Sequence, residues 1–355
     1  MKKSHLITSS LLSIALLPLP AAAETLAFGS CMREWNEQPV WHGVSTTSPS
    51  AFVFMGDNVY ADNKRYTADD PSQNYAAAYR ALASNKDFQH FHRDLMSRGG
   101  AFLGTWDDHD YGENDGGATF ANKVIAKRAF NAFFTDHGMV TEGLIADASR
   151  NGVYSAHLVN LGDYTANVIL LDTRSFRGPM TRVAKAGCPI GGDHIVPKGA
   201  TMLGDAQWLW LEQELQKPAD IRIVVSSIQL LSAEHCFEKW SNFPWERQRF
   251  IDLIADNDIP GVVILSGDRH LSEISVLNDK RMRYPLYEVT SSGMNSAMGV
   301  DKPHNEANAL RALDDYVTAD GFGTLSIDAG EVTLALRDVE GKVLQQVKLP
   351  LKSMQ

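Results

Sequence analysis

The sequence has few cysteines, fewer basic than acidic residues, and no long apolar run beyond its start. It carries 33 Lys and Arg against 43 Asp and Glu, and three cysteines, in 355 residues. An acidic surface repels polyanions, which argues against general nucleic-acid binding but leaves a locally positive site open to a small anionic substrate. Past residue 23 no apolar stretch can span a bilayer, so we expect no stable membrane anchor.

No internal repeat, low-complexity tract or long linker divides the chain, and no GxSxG segment is present. The lack of GxSxG gives no support to a serine hydrolase. We predict a single domain over residues 24–355, which is long enough to bury a sizeable hydrophobic core.

The first 23 residues have the pattern of a secretory signal peptide. Two lysines at positions 2 and 3 precede an apolar segment from Leu11 to Leu19, and the small residues of "PAAAET" follow. Ala21 and Ala23 suit cleavage before Glu24. The prediction is an exported chain of 332 residues, periplasmic or secreted. This chain would have 31 basic and 43 acidic side chains, and therefore a formal charge of −12.

The odd number of cysteines leaves one thiol unpaired if a disulfide forms. Cys188 and Cys236 both lie in loop-like sequence, "KAGCPIGGDH" and "SAEHCFEKW", and are the natural pair in an oxidising compartment. Cys31 is then the free thiol, and on residue type alone it could be a small buried hydrophobe.

Short β-branched or aromatic runs alternate with amphipathic helical segments, which is typical of a layered α/β sheet. The Ala-rich segment 74–95 predicts a helix, and the tail from residue 323 predicts three alternating strands that cover one sheet edge. At least five runs end in residues that could bind metal. Because ligands of open α/β sheets bind beyond the carboxyl ends of the strands, these side chains should share one crevice. The runs are "TLAFGSC", "AFVFMGD", "AFLGTWDDHD", "NVILLDTR", "IRIVVSSIQ" and "GVVILSGDRH".

The stretch "AFVFMGDNVYAD" places Asp57 and Tyr60 on one turn after a buried run. Asp57 is the best candidate for a carboxylate that bridges two cations. Tyr60 could bind as a phenolate, but a phenol ionises at neutral pH only beside a strong Lewis acid such as Fe(III). The structural alternative is a turn aspartate beside a core tyrosine with a satisfied hydroxyl.

Three more strand ends carry candidate residues. In "TWDDHDYGEND", Asp108 could face a metal, His109 the substrate oxygen, and Asp110 could orient the imidazole, unless the segment is a solvated acidic turn. In "LSGDRH", Asp268 and His270 could reach a metal pair, unless they only hydrogen-bond within a turn. In "VVSSIQ", the amide oxygen of Gln229 suits Ca²⁺ better than Zn²⁺.

Taken in order, these motifs resemble the PhoD-like alkaline phosphatases, relatives of the purple acid phosphatases and other metallophosphoesterases. The resemblance runs from "FGSC" to "SSGMN" and includes "GDNVYAD", "WDDHDYG", "LDTRSFRG", "LGDAQWLWLEQEL" and "SGDRH". It implies an α/β fold of the metallophosphoesterase kind, a sandwich of two mixed β-sheets flanked by helices.

The resemblance also implies two cation sites and their ligands. Fe(III) would lie in a shell of Cys31, Asp57, Tyr60 and His270. Ca²⁺ would lie in a shell of Asp57, Asp108, Gln229 and Asp268. Zn²⁺ could occupy either site, and a second Ca²⁺ could use Asn114 or neighbouring residues.

The hypothesis for function is an exported phosphoesterase of alkaline phosphatase D type, in which a metal-bound hydroxide attacks a small phosphate ester. His109 would protonate the leaving oxygen with Asp110 holding its ring. Arg33, Arg174 and Arg269 could contact substrate oxygens or form structural ion pairs, and Arg269 is the one predicted as catalytic.

Other functions remain open from the sequence. A phosphodiesterase or a phospholipase D-like enzyme could use the same metal site. A Cys-His hydrolase could use Cys31 and His270 but leaves the carboxylate clusters unexplained. A non-catalytic secreted Ca²⁺-binding protein would account for the acids but not for Cys31 and His270. The oligomeric state stays undetermined.

Overall fold

The strands that the sequence predicts assemble into two six-stranded mixed sheets. The computed structural model describes residues 24–139, 151–188, 193–299 and 306–355, so the predicted signal segment lies outside the described residues. In chain order the strands are β1 Glu24–Gly29, β2 Ala51–Met55, β3 Ala101–Thr105, β4 Ser155–Leu161, β5 Tyr164–Leu170, β6 Thr181–Val183, β7 Asp193–Ile195, β8 Ile221–Val225, β9 Val262–Ser266, β10 Ser272–Leu277, β11 Leu286–Ser291, β12 Gly321–Asp328, β13 Glu331–Asp338 and β14 Val343–Pro350.

Both sheets are mixed: in the first, three parallel strands lie on one side and three antiparallel strands on the other, and in the second a parallel centre has an antiparallel strand at each edge. The first has the order β14-β13-β12-β1-β2-β3 and the second β10-β11-β9-β8-β5-β4, while β6 and β7 form a small separate hairpin. Strands β1 to β3 run parallel, as do β5, β8, β9 and β11. The tail forms β12 to β14 and extends one side of the first sheet, as predicted. The predicted sandwich of two mixed sheets is confirmed.

Helices cover the sheets because parallel strands bury both faces. Within the described residues the α-helices are α1 Val40–Thr46, α2 Pro71–Ser84, α3 Lys86–Ser97, α4 Asp108–Tyr111, α5 Lys123–Asp136, α6 Gly204–Leu215 and α7 Pro244–Asp256, with single 3₁₀ turns at Trp240–Asn242 and Leu351–Met354. Across these ranges, no helix combines the length and the apolarity that a membrane crossing requires.

The predicted single helix over residues 74–95 is wrong, because the structure breaks it at Asn85. This residue has extended backbone angles, φ −66° and ψ 129°, which end α2. Its side-chain oxygen accepts hydrogen bonds from the backbone N–H groups of Asp87 and Phe88, at 2.9 and 3.1 Å, and so caps α3. An asparagine favours such a cap over a helix interior.

An aromatic cluster fixes the strand that leads into the predicted site. Phe52 and Phe54 lie on the same face of β2, and Trp41 of α1 contacts both rings at centroid distances of 5.1 and 5.7 Å. Phe91 of α3 stacks on Trp41 at 5.0 Å. Each aromatic pair contributes about 0.5–1.5 kcal/mol beyond its buried area. The packing therefore holds the carboxyl end of β2 in a defined position.

The predicted disulfide between Cys188 and Cys236 is present, and Cys31 is the free, buried thiol. The bond ties the loop that carries the β6–β7 hairpin to the loop that follows β8. Two residues of the second loop, Phe237 and Glu238, line the cavity at the candidate metal centre described below. The disulfide thus fixes one wall of that cavity.

Replacing both disulfide cysteines by serine should lower the free energy of unfolding by about 4 kcal/mol, because the bond closes a loop of 48 residues in the unfolded chain. Denaturant unfolding of the metal-free protein measures this loss. Reducing the wild-type protein should reproduce it, and the double variant should not respond to reductant. Equal stability of the oxidised wild type and the double variant would contradict the prediction.

Candidate metal centre

The carboxyl ends of the central strands carry strained turns. Cys31 follows β1, Asp57 follows β2, and Asp268 and His270 follow β9, and all four have positive φ, at 59°, 51°, 68° and 55°. Non-glycine residues rarely adopt this region, and such strain clusters at functional sites. Gly56 has φ 105°, and a Cβ there would lie 2.5 Å from the Cβ of Asp107. The turn before Asp57 therefore requires glycine.

These turns bring together the residues predicted to hold Fe(III). The ligand atoms of Cys31, Asp57 and His270 all lie within 4.8 Å of one another. The Cys31 Sγ and the Tyr60 hydroxyl lie 3.5 and 3.4 Å from Oδ2 of Asp57. The Nδ1 atom of His270 contacts the carbonyl oxygen of Ser296 at 2.6 Å. That contact occupies Nδ1 and leaves Nε2 as the ligand atom.

A second group of acids adjoins the first. Asp57, Asp108 and His109 form one cluster with ligand atoms within 4.8 Å, and Asp107, Asp108 and Asp268 form another. Asp57 belongs to both the Cys31 cluster and the Asp108 cluster, which is the arrangement that a bridging carboxylate requires. All four aspartates are buried or nearly so.

The buried charges favour a bound cation. Burial raises the pKa values of Asp57 and Asp268 well above the usual range, and neighbouring carboxylates add to the effect. Burial also raises the pKa values of Cys31 and Tyr60, and Asp57 raises both further. Oδ1 of Asp108 is buried without a hydrogen-bond partner among the described residues. A cation between these groups would stabilise the anionic forms and supply the missing partner.

Asp108 is the exception among these acids. Burial opposes its ionisation, but the charges of His109 and Arg174 and the backbone N–H of Asp115 lower its pKa to about 2. The N–H of Asp115 lies 2.8 Å from Oδ2 of Asp108, so the other oxygen is the one directed to the cluster. Asp108 is therefore held as a carboxylate.

The imidazole of His109 contacts Asp62, a residue that the sequence did not single out. Nδ1 of His109 lies 2.8 Å from Oδ2 and 2.9 Å from Oδ1 of Asp62, and the imidazole packs on the Tyr60 ring at 4.2 Å. Asp62 belongs to the quoted "GDNVYAD" motif, but nothing in the sequence shows that it meets His109, 47 residues away. Nε2 of His109 is left for the substrate side.

Among the described residues, no hydrogen bond joins Asp110 to the imidazole of His109, and the contact predicted for Asp110 is made by Asp62. Asp110 is buried and accepts hydrogen bonds from the backbone N–H groups of Asn58, Val59 and Asp107, at 3.0 to 3.2 Å. The Tyr79 hydroxyl donates to it at 3.3 Å. Asp110 thus joins the turn after β2 to the turn after β3, because α4 directs its side chain back toward the backbone.

Gln229 is buried and held through its amide nitrogen. Its Nε2 donates hydrogen bonds to Glu273 at 2.8 Å and to Thr290 at 2.9 Å in a buried polar network. Among the described residues, the lining of the cavity at this site includes neither Gln229 nor the predicted ligands Cys31 and Tyr60. These bonds leave Oε1 of Gln229 as the atom that a cation could use.

Several of the candidate metal ligands line a cavity of about 380 Å³. Arg269 lies in its wall with its guanidinium 2.7 Å from Glu306 and 4.0 Å from the centroid of the Phe237 ring. The cavity also contains Asn114 and Asp115, and Asp115 forms a further group of possible ligands with Asp108 and Glu238. The acidic lining residues are Asp57, Asp108, Asp115, Glu238, Asp268 and Glu306.

Arg174 forms a structural ion pair, which was one of its two predicted roles. The buried guanidinium pairs with Asp107 and lies 2.5 Å from Oε2 of Glu238. Arg177 pairs with the same glutamate at 3.0 Å. These arginines balance the acids directly behind the candidate ligands.

Replacing Arg174 by Met should lower the free energy of unfolding by about 3–5 kcal/mol, because it leaves the buried Asp107 without its cation, while Glu238 keeps only Arg177. A matched control is Arg281→Met, since Arg281 pairs with three acids but is 44% exposed. The control should change stability by no more than about 1 kcal/mol. Denaturant titration of both metal-free variants tests the difference, and similar values for the two would contradict it.

The two mixed sheets, with candidate carboxylate and imidazole ligands at the carboxyl ends of their parallel strands, define the fold class of the metallophosphoesterases. A family model described as PhoD-like phosphatase matches residues 26–336. The chain belongs to the PhoD-like phosphatase family, which confirms the resemblance found in the motifs.

Individual relatives are distant. Alkaline phosphatase D of Bacillus subtilis is 23% identical over 298 residues, which cover 74% of this chain and 49% of that protein. The chain thus spans about half the length of this curated relative. A solved structure of PhoD superposes with a TM-score of 0.64 at 18% identity, over 94% of this chain and 69% of that one.

A purple acid phosphatase from yellow lupin (Lupinus luteus) seeds has a TM-score of 0.57 at 12% identity, over 94% of this chain and 55% of that chain. At these identities both solved structures show a likeness of fold alone.

Proposed function

We propose that this chain is a metal-dependent phosphoesterase that hydrolyses small phosphate esters. The observation that carries the proposal is the sharing of Asp57 between two adjacent ligand groups in one cavity, beside a histidine held by Asp62. Membership of the PhoD-like phosphatase family and the alkaline phosphatase D relative support the same activity.

The finer proposal concerns the metals. Cys31, Asp57, Tyr60 and His270 would hold Fe(III), because thiolate and phenolate ligands suit a strong Lewis acid. Asp57, Asp108 and Asp268 would hold Ca²⁺, which prefers carboxylate oxygens. Gln229 stays a predicted Ca²⁺ ligand through its amide oxygen, because its contacts to Glu273 and Thr290 use the amide nitrogen. Zn²⁺ at either site and a second Ca²⁺ beside Asp115 belong to the same proposal.

When bound, the cations would acidify a water molecule and offset the charge of the phosphoryl oxygens. The residues of the chain perform the remaining tasks. His109 donates a proton from Nε2 to the leaving oxygen, and Asp62 holds the ring through Nδ1. Arg269, fixed by Glu306, presents its edge to the cavity and would contact the bound ester.

Export is part of the proposal. The signal-peptide pattern of residues 1–23 and the Cys188–Cys236 disulfide both suit a protein of the periplasm or the medium. The mature chain would begin at Glu24, the first residue of β1.

The first experiment is metal analysis and visible spectroscopy of protein made with its export signal and no chelator. About one iron with calcium per chain, an absorption band lost in Tyr60→Phe, and hydrolysis of 4-nitrophenyl phosphate would support the proposal in full. Zinc alone, with hydrolysis, would retain the phosphoesterase and overturn Fe(III) and Ca²⁺. Fully metallated protein without hydrolysis of mono- or diesters would overturn the enzyme and favour a Ca²⁺-binding protein.

A further inference from the structure

One arginine at the cavity differs from the others in its surroundings. Three arginines line the cavity, Arg33, Arg182 and Arg269. Arg269 pairs with Glu306 at 2.7 Å, and Arg182 lies 3.5 Å from Asp115. Within residues 24–139, 151–188, 193–299 and 306–355, no hydrogen bond or ion pair involves the guanidinium of Arg33. This exposed cation is therefore available to a ligand.

The backbone of Arg33 is held firmly although its side chain is not. The Asn295 side chain accepts a hydrogen bond from the backbone N–H of Arg33 at 2.7 Å and donates one to its carbonyl oxygen at 3.0 Å. The preceding residue, Met32, donates its N–H to the carbonyl oxygen of Asp57 at 2.8 Å. Arg33 is thus anchored to the same turns that carry Asp57 and Ser296.

The aromatic ring of Tyr60 lies beneath the Arg33 side chain. The guanidinium carbon of Arg33 is 5.8 Å from the centroid of the Tyr60 ring, within the range of a cation–π contact. Tyr60 in turn contacts His109 and Asp57. The guanidinium is therefore placed at the mouth of the cavity, beside the groups that would act on the ester.

The charges that line the cavity indicate what Arg33 would bind. Six acidic side chains line the cavity, and its two other arginines already face acids. A phosphate monoester has three terminal oxygens and carries close to two negative charges above its second pKa of about 6. A diester has one charge, and its third oxygen carries a second organic group. An unpaired guanidinium, whose N–H groups form a planar fork, would bind the additional charged oxygen of the monoester more tightly than the esterified oxygen of a diester.

We propose that Arg33 is a substrate-binding residue that contacts the third terminal oxygen of the phosphoryl group and gives the enzyme its preference for monoesters over diesters. This inference rests on the proposed phosphoesterase function, which it deepens by naming the substrate class. It assigns Arg33 no part in proton transfer.

The test compares two esters with the same leaving group, 4-nitrophenyl phosphate and methyl 4-nitrophenyl phosphate, on the metallated protein at pH 8. In Arg33→Ala, kcat/KM for the monoester should fall by about 10- to 100-fold, the loss expected for a charged hydrogen bond. The value for the diester should fall by no more than about fivefold, as for an exposed charge. Arg33→Lys should recover part of the monoester activity, because it retains the charge without the fork.

The matched control is Arg65→Ala. Arg65 is also exposed, lies 4.4 Å over the Trp35 ring, and belongs to a different groove from the one that Arg33 lines. It should leave the ratio of monoester to diester activity unchanged. Equal losses on the two esters in Arg33→Ala, or no loss on either, would overturn the proposed selectivity.

A binding measurement separates this inference from the proposed function. Inorganic phosphate should raise the melting temperature of the metallated wild type, and Arg33→Ala should lose most of that shift. A wild type that hydrolyses neither ester but binds phosphate through Arg33 would refute the phosphoesterase and retain the anion site. An enzyme whose phosphate shift is the same in Arg33→Ala would refute the role of Arg33 and retain the phosphoesterase.

Discussion

Replacing Asp57 by Asn should lower phosphoesterase activity more than any other single substitution in the chain. Asp57 is the residue shared by the cluster with Cys31 and His270 and the cluster with Asp108 and His109. In the proposed assignment, its loss would remove a ligand from both cations at once. We therefore expect kcat/KM to fall by more than the factor of about 10² to 10⁴ that the loss of a general acid causes.

The same substitution makes an opposite prediction for stability. Burial and neighbouring acids raise the pKa of Asp57, so in the metal-free protein the carboxylate is unfavourable where it lies. The amide has nearly the same shape and no charge. The melting temperature of metal-free Asp57→Asn should equal or exceed that of the metal-free wild type, while the rise on adding metals should disappear.

Metal analysis, thermal melts and ester hydrolysis on the same samples test both the predicted loss of activity and the predicted change in melting temperature. Asp69→Asn, an exposed aspartate before α2, is the control and should behave as the wild type in all three. Full metal content with full activity in Asp57→Asn would refute the bridging role. A metal-free variant that melts well below the wild type would show that Asp57 stabilises the fold by itself.

Replacing His109 by Ala should lower turnover by about 10²- to 10⁴-fold while metal content stays the same. The proton from His109 matters most for a leaving group that is a strong base. The loss should therefore be larger for an alkyl phosphate than for 4-nitrophenyl phosphate. Unchanged turnover in a folded, metallated variant would refute the role of His109 as the proton donor.

Asp62 acts through His109, and its substitution tests that connection. Asp62→Asn keeps the shape but weakens the contact to Nδ1, which lies 2.8 Å away. We expect turnover to fall by about 10- to 100-fold, the usual effect of a residue that orients a functional imidazole. In the background of His109→Ala the same substitution should have almost no further effect, because residues that act as a unit are not additive.

Asp110→Asn separates this pair from its neighbour. Asp110 accepts three backbone N–H groups and the Tyr79 hydroxyl, so its loss should lower stability before it alters the preference for leaving groups. A leaving-group dependence equal to that of His109→Ala would restore the orienting role first predicted for Asp110.

Much of the fold was predictable because it depends on local patterns. Alternating and continuous apolar runs gave most strands of the two sheets, and the tail formed β12 to β14 as expected. The break at Asn85 was missed because apolar residues at helical spacing continue after it, at Phe88, Phe91 and Leu95. The polar side chain of that residue, which caps α3, was the available signal.

The candidate site was predictable in composition but not in its contacts. Strand ends and ordered motifs pointed to Cys31, Asp57, Asp108, Asp268 and His270, and the structure places these ligand atoms in adjoining groups. The sequence could not show that Asp62 rather than Asp110 meets His109, nor that the amide nitrogen of Gln229 donates to Glu273. Those contacts join turns that are tens of residues apart.

The sequence by itself determined the kinds of groups available: carboxylates, a free thiol and imidazoles at strand ends, and two loop cysteines able to pair. Only the tertiary structure decided which of the arginines that line the cavity face acids and which, within the described ranges, has a guanidinium open to a ligand. The physical reason is that residue type sets the chemistry of a side chain, whereas its charge state and partners depend on burial and on neighbours that folding brings together.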